Sequence, residues 1–272
     1  MPVIMLVDNG SIRAQATLQL RMLAQSLSEL SGYTIHCVSL QHADKIPAEE
    51  LDNKPAVIFS QFISSQLEAG TREFIVLPLF FGMSKAISSF IPDQFKQLQL
   101  QYGNFSLKIA DVIYPLPQGD ALLVDILHDH IKRTAKQSQL SLDNIILVDH
   151  GSPAPQVTEV RRQIAQKLGQ SFTPALNINQ AVMERRQGKE YDFNGDLLEN
   201  ILQQKAGDGE TSAIVVLLFF LPGRHAGEHG DIVDICESVM RTHPELEIGI
   251  SPLVSEHPLL IKLLQNRLNA LI

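Results

Sequence analysis

An apolar run from Ala213 to Leu221 breaks at Pro222-Gly223 and is followed at once by Arg224, His225, Glu228, His229 and Asp231. Two imidazoles and two carboxylates in one short stretch are the side chains of metal ligation and proton transfer. A third histidine stands in Asp149-His150-Gly151-Ser152, directly after the apolar Ile145–Val148, and Glu184 closes the sequence Val182-Met183-Glu184. Taken one at a time, each of these residues has a plainer reading. A polar loop or a satisfied structural histidine explains any single position.

The elements that must position them follow from the apolar pattern. Ala213–Leu221 is rich in Val, Leu and Phe and too short for a typical globular helix, so it reads as a strand buried on both faces. Open α/β sheets gather ligands at the carboxyl ends of such strands. Strands are also expected at 3–7, 34–40, 74–81, 107–114 and 145–148, with 56–63 ambiguous between strand and helix. Between them the spacing predicts helices: Leu20, Leu23, Ala24, Leu27 and Leu30 share one face, with Gly32 as the stop, and Val157, Val160, Ile164, Ala165 and Leu168 share another. Further helices are expected from about Pro92 and over Ala121–Lys132.

The chain repeats itself. Asp149-His150-Gly151-Ser152 stands 141 residues after Asp8-Asn9-Gly10-Ser11, Leu218-Phe219-Phe220 stands 139 after Leu79-Phe80-Phe81, and Ile250-Ser251-Pro252-Leu253 stands 137 after Ile113-Tyr114-Pro115-Leu116. Three landmarks in the same order at a nearly constant offset indicate a tandem duplication, with its join near Lys136–Leu142. The expected fold is α/β, two flavodoxin-like or Rossmann-like lobes over 1–138 and 139–272, each with a parallel sheet built of right-handed βαβ units. The halves differ where the chemistry lies. Asn9 stands against His150, Gln41 against Glu184 and Ala86 against His225. Imidazole and carboxylate are ordinary ligands of divalent first-row metals, whereas amide and methyl groups are poor ones. One half keeping a metal site and the other losing it explains all three differences together.

These motifs resemble a known family. The V-D-H-G-S strand end, the stretch L-F-F-L-P-G-R-H-A-G-E-H-G-D-I and the duplication are similar to the class II tetrapyrrole chelatases, in particular the two-lobed sirohydrochlorin chelatases of the CbiX/SirB type. The resemblance implies two lobes facing across a cleft, with His150 and His225 as metal ligands and Glu184 at the acidic position. It implies insertion of cobalt or iron into sirohydrochlorin or a related tetrapyrrole, for cobalamin or sirohaem biosynthesis, with the divalent metal as substrate and no organic cofactor. Glu184 either completes the metal site or accepts a pyrrole proton. Glu228 and His229 are candidates for a proton relay, or are solvated loop groups. Sirohydrochlorin is a polycarboxylate, so local cations are needed, and Arg224, Arg185, Arg186 and Lys189 are placed to serve. The backbone N–H groups of Gly151 and Ser152, opening a helix, are further carboxylate donors. The segment Arg185–Gly195 after Glu184 is longer than the family pattern.

Composition bounds the rest. A formal charge of −8 without a long basic stretch argues against nucleic acid as a partner. No apolar run reaches the roughly 18–20 residues of a membrane span. The start M-P-V-I-M-L-V-D has no basic segment and is interrupted by Asp8, so no signal peptide is expected. Two cysteines, Cys37 and Cys236, without zinc-knuckle or disulfide spacing suit a reducing cytoplasm. A two-lobed monomer is the expected state, with a weak dimer as the alternative. Two other functions compete: a non-catalytic metal or tetrapyrrole carrier on the same lobes, and a hydrolase using His150. The D-H-G-S turn lacks the arginine before H-G of a phosphohistidine phosphatase, and G-x-S-x-G and H-E-x-x-H are absent.

Overall fold

Short runs, the central ones rich in Val, Ile and Leu, form parallel strands in a computed structural model that describes residues 2–272. In the first half the elements are β1 (Val3–Asp8), α1 (Ala14–Ser31), β2 (Ile35–Ser39), α2 (Phe59–Glu68), β3 (Glu73–Pro78), α3 (Ile91–Tyr102), β4 (Ser106–Ile109) and α4 (Ala121–Ser138). The second half repeats them as β5 (Ile145–Asp149), α5 (Pro155–Gln170), β6 (Ile178–Val182), α6 (Leu198–Gly207), β7 (Ser212–Leu217), α7 (Asp231–Thr242), β8 (Glu247–Ile250) and α8 (Leu259–Asn269). The described strands form two parallel sheets of identical order, β2-β1-β3-β4 and β6-β5-β7-β8. The register repeats as well: Asp8 pairs with Ser39 and Asp149 with Val182. Each sheet reverses strand order beside its first strand, so its ligand crevice lies beyond the carboxyl ends of β1 and β3, or of β5 and β7.

The compact units do not coincide with halves 1–138 and 139–272. One comprises Met1–Pro115 with Pro258–Ile272, the other Leu116–His257. The closing helices are exchanged. A parallel sheet needs helices on both faces, and α4 lies against α5, β7 and β8, burying Leu123, Ile126, Leu127 and Ile131. Likewise α8 lies against α1 and β3 through Leu260, Leu263, Leu264 and Leu268. The expected join at 136–142 falls on the link between α4 and β5, where the order of elements starts again, and this link lies inside one compact unit.

Several element boundaries also differ. The run 107–114 pairs as a strand only over β4; Val112, Ile113 and Tyr114 stay buried outside the ladder, where backbone bonds to Phe80 and Phe81 hold Ile113 and Tyr114. Residues 218–221 likewise leave the ladder after β7. The ambiguous 56–63 bridges extended β2 at Ile58, then turns into α2. Leu30 is exposed, because the last turn of α1 reaches beyond the sheet-facing residues. Among the described residues no helix is long and apolar enough to cross a membrane.

Candidate metal centre

His150 immediately follows β5, Glu184 lies two residues beyond β6, and His225 stands on the loop that follows β7. The two histidines therefore flank the crevice where the strand order reverses. Local backbone geometry fixes the first pair. The Glu184 N–H donates to the His150 carbonyl at 3.2 Å, drawing the two loops together. Gly151 allows that approach: its φ is +89°, and a Cβ there would stand 2.0 Å from the Glu184 carbonyl oxygen. The side chains meet above, His150 Nε2 lying 3.3 Å from Glu184 Oε1. Two ligands of one tetrahedral metal, each about 2.1 Å from it, are themselves about 3.4 Å apart. The pair already has that spacing.

His225 completes the group. Its ring centroid is 4.7 Å from that of His150, and ligand atoms of His150, Glu184 and His225 all lie within 4.8 Å of one another. The loop that carries it closes on itself: the Gly223 N–H donates to the Ala226 carbonyl at 2.7 Å, and Ile232, in the first turn of α7, donates to the His225 carbonyl at 3.0 Å. This closure brings Asp231 back to His225, with Oδ2 2.8 Å from Nδ1. A carboxylate accepts only from Nδ1–H, so the lone pair of this imidazole is on Nε2, the ligating form. His225 is the more buried of the two, with 14% of its side chain exposed against 54% for His150. Burial first, then His225 and Arg224, holds His150 below the usual imidazole range, while Glu184 and Asp149 oppose this. A neutral imidazole is what a metal requires.

The other expected site residues divide. Arg224 lies 3.4 Å from Asp231 through Nε and is largely exposed, so its charge stands at the rim of the cluster. A cavity of about 350 Å³ is lined by His150, Gly151, Ser152, Pro153, Glu184, Arg185 and Arg186. Arg185 reaches the Gly195 carbonyl at 3.2 Å and Asp192 at 3.4 Å, and Arg186 lies over the Tyr191 ring. The Gly151 and Ser152 N–H groups are not open anion donors. They donate to Asp149 Oδ1 at 3.1 Å and to Asn194 Oδ1 at 2.9 Å, and α5 begins only at Pro155. Glu228 and His229 are exposed and lie outside the three-ligand cluster.

Two residues have roles that the sequence alone does not show. Asp231 was legible as a carboxylate but not as the partner of His225. Arg161 stands on the apolar face of α5, between Val160 and Ile164, and a charge at such a position was a signal. It is 2% exposed and donates to Asp149, the Ala181 and Asn194 carbonyls and Gln180.

The CbiX family model matches residues 144–271. The matched stretch, just under half of the chain, is similar to the CbiX family. His150, Glu184 and His225 all lie within the matched residues. No curated protein sequence matches the chain. Among solved structures, SirB from Bacillus subtilis with Fe3+ is similar at 16% identity and a TM-score of 0.69, over 99% of this chain and 95% of that one. SirB from Bacillus subtilis subspecies spizizenii in complex with cobalt gives 14% and 0.70, over 99% and 94%. CbiX, described as the terminal enzyme for siroheme biosynthesis in denitrifying bacteria, gives 17% and 0.61, over 99% of each chain. At such identities the likenesses establish the fold, which the region before the matched stretch shares.

Proposed function

We propose that the protein is a metallochelatase that inserts a divalent metal, cobalt or iron, into sirohydrochlorin or a related tetrapyrrole. The observation that carries this reading is the cluster His150, Glu184 and His225, three N/O donors within 4.8 Å at the carboxyl ends of neighbouring strands. Three protein ligands leave coordination positions for ring nitrogens, whereas a closed four-ligand site would retain the metal. The CbiX match and the metals held by the SirB structures, Fe3+ in one and cobalt in the other, support the same reading.

The metal is substrate. The divalent ion leaves His150, Glu184 and His225 as pyrrole nitrogens bind it, and two pyrrole N–H protons are released. Those protons need bases near the ring. Glu184 and His150, freed as the metal departs and about half exposed, are the nearest. Glu228 and His229, on the exposed loop before α7, would serve only to pass protons onward. His225 stays oriented by Asp231 through the exchange. Arg224, Arg185 and Arg186 supply positive charge beside the ligands for the carboxylates of the ring, in a chain that is acidic overall. The first half, with Asn9, Gln41 and Ala86, is a lobe without a metal of its own.

Turnover separates this from a carrier. Purified protein, an excess of sirohydrochlorin and cobalt(II) or iron(II) under anaerobic conditions should give many equivalents of metallated product, followed by absorbance. One equivalent per chain, with no rate above the uncatalysed reaction, would indicate a carrier. Running both metals in competition measures the preference, since an N/O donor set accepts either.

A further inference from the structure

Behind the His150 loop lies a buried polar network that the metal reading does not use. Arg161 Nη1 is 2.5 Å from Asp149 Oδ1 and 3.2 Å from the Ala181 carbonyl, and Nη2 is 2.6 Å from the Asn194 carbonyl. Asn194, 1% exposed, clamps the loop from the other side. Its Oδ1 accepts the Ser152 N–H at 2.9 Å and its Nδ2 donates to the Ser152 carbonyl at 2.9 Å. Asp149 Oδ1 also accepts the Gly151 N–H. The three residues from Asp149 to Gly151 thus run between two fixed points, and His150 lies between them. Ala181 is on β6 and Asn194 closes the segment after Glu184, so the same guanidinium ties together the chain on both sides of Glu184 as well.

The first half supplies a control. The residue that stands to Asp8 as Arg161 stands to Asp149 is Leu20, fully buried. Asp8 keeps its buried place without a cation, and its Oδ1 has no hydrogen-bond partner. The half that lacks the ligands also lacks the guanidinium. A buried arginine is costly unless its donors are matched, and here four acceptors match it.

We propose that Arg161 and Asn194 are positioning residues for the metal centre: Arg161 ties the His150 strand end to the segment after Glu184, and Asn194 clamps Ser152, so that both side chains are held at ligating separation. This rests on the reading of His150, Glu184 and His225 as the metal site. Neither residue touches the metal; both act through the backbone of the two loops.

The test uses the full chain and cobalt(II) alone, followed by calorimetry and by the visible absorption of the bound ion, which reports ligand geometry. Variants are Asn194→Ala, Arg161→Lys and the charge-free pair Asp149→Asn with Arg161→Leu, which removes both buried charges and so guards against simple failure to fold. Asn194→Ala and the pair are each expected to weaken cobalt by about 10–100-fold, the usual effect of removing support behind a ligand, and to shift its absorption. Arg161→Lys, which keeps one charge but not the fork, should fall between them and wild type. Cobalt bound by wild type in a His150-dependent way, and bound by the variants with the same affinity and spectrum, overturns this inference alone, whatever their melting temperatures. Cobalt not bound by wild type, or bound equally after His150→Ala, overturns the site reading and this inference with it.

Discussion

His225 takes its ligating form from Asp231, six positions further on, and only because the loop between them closes. Asp231→Asn keeps the shape but loses the charge, and its amide can donate to Nδ1 as well as accept from it, so the tautomer is no longer fixed. It is expected to weaken cobalt(II) by about 10–100-fold with little change in melting temperature, which calorimetry and thermal unfolding together would show. The acid limb of binding belongs to the same scale. His150 lies below the ordinary imidazole range, through burial first and the neighbouring His225 and Arg224 next. A depressed imidazole is already neutral at neutral pH, so protons compete with the metal only as pH falls below about 6.5. Cobalt affinity should be nearly flat from about pH 8 to 7 and fall below about 6 as His150 takes up its proton. A profile flat down to the carboxylate range near 4 would assign the metal to carboxylates instead.

At the scale of elements, the loops after β1 and β5 are built alike and differ in what they carry. Gly10 and Gly151 share a φ of +89°, and a Cβ at either would collide with a carbonyl, that of Gln41 at 1.8 Å or of Glu184 at 2.0 Å. Gly10→Ala and Gly151→Ala should therefore each destabilise by at least about 1–3 kcal/mol, measured by denaturant unfolding. Only Gly151→Ala should also weaken cobalt. The buried strand ends make a second contrast. Burial raises the Asp8 carboxyl above its ordinary range, and Ser39 and the Gly10 N–H only partly offset this. A raised carboxyl contributes stability below its unfolded pKa that is lost as pH rises through the folded value. Asp8→Asn, neutral throughout, should thus match wild type near pH 3 and melt above it at pH 7, as thermal unfolding at the two pH values would show. The strands were legible because both faces of β1, β3, β5 and β7 are apolar. Their ends were not, because Val112–Tyr114 and Leu218–Phe220 remain sheltered after leaving the ladder, and apolar patterning reports burial rather than pairing. The candidate ligands His150, Glu184 and His225 could be picked out because each stands on the loop that follows a strand. Asp231 and Arg161 act across turns and between elements, which spacing along the chain does not encode.

Across the whole molecule, the duplication was readable from three landmarks at nearly constant offset, and the two sheets repeat the same order. The exchange of α4 and α8 between compact units was not readable, since an amphipathic helix does not state which sheet it covers. The central claim is that two copies of one fold carry a single metal site, made by His150, Glu184 and His225 in the stretch similar to the CbiX family. Anomalous diffraction from crystals soaked in cobalt(II), collected at the cobalt edge, tests this most directly. One peak per chain is expected, within about 2.0–2.3 Å of His150 Nε2, His225 Nε2 and a Glu184 oxygen. A peak of equal height beside Asn9 and Gln41, or one away from His150 and His225, would contradict it.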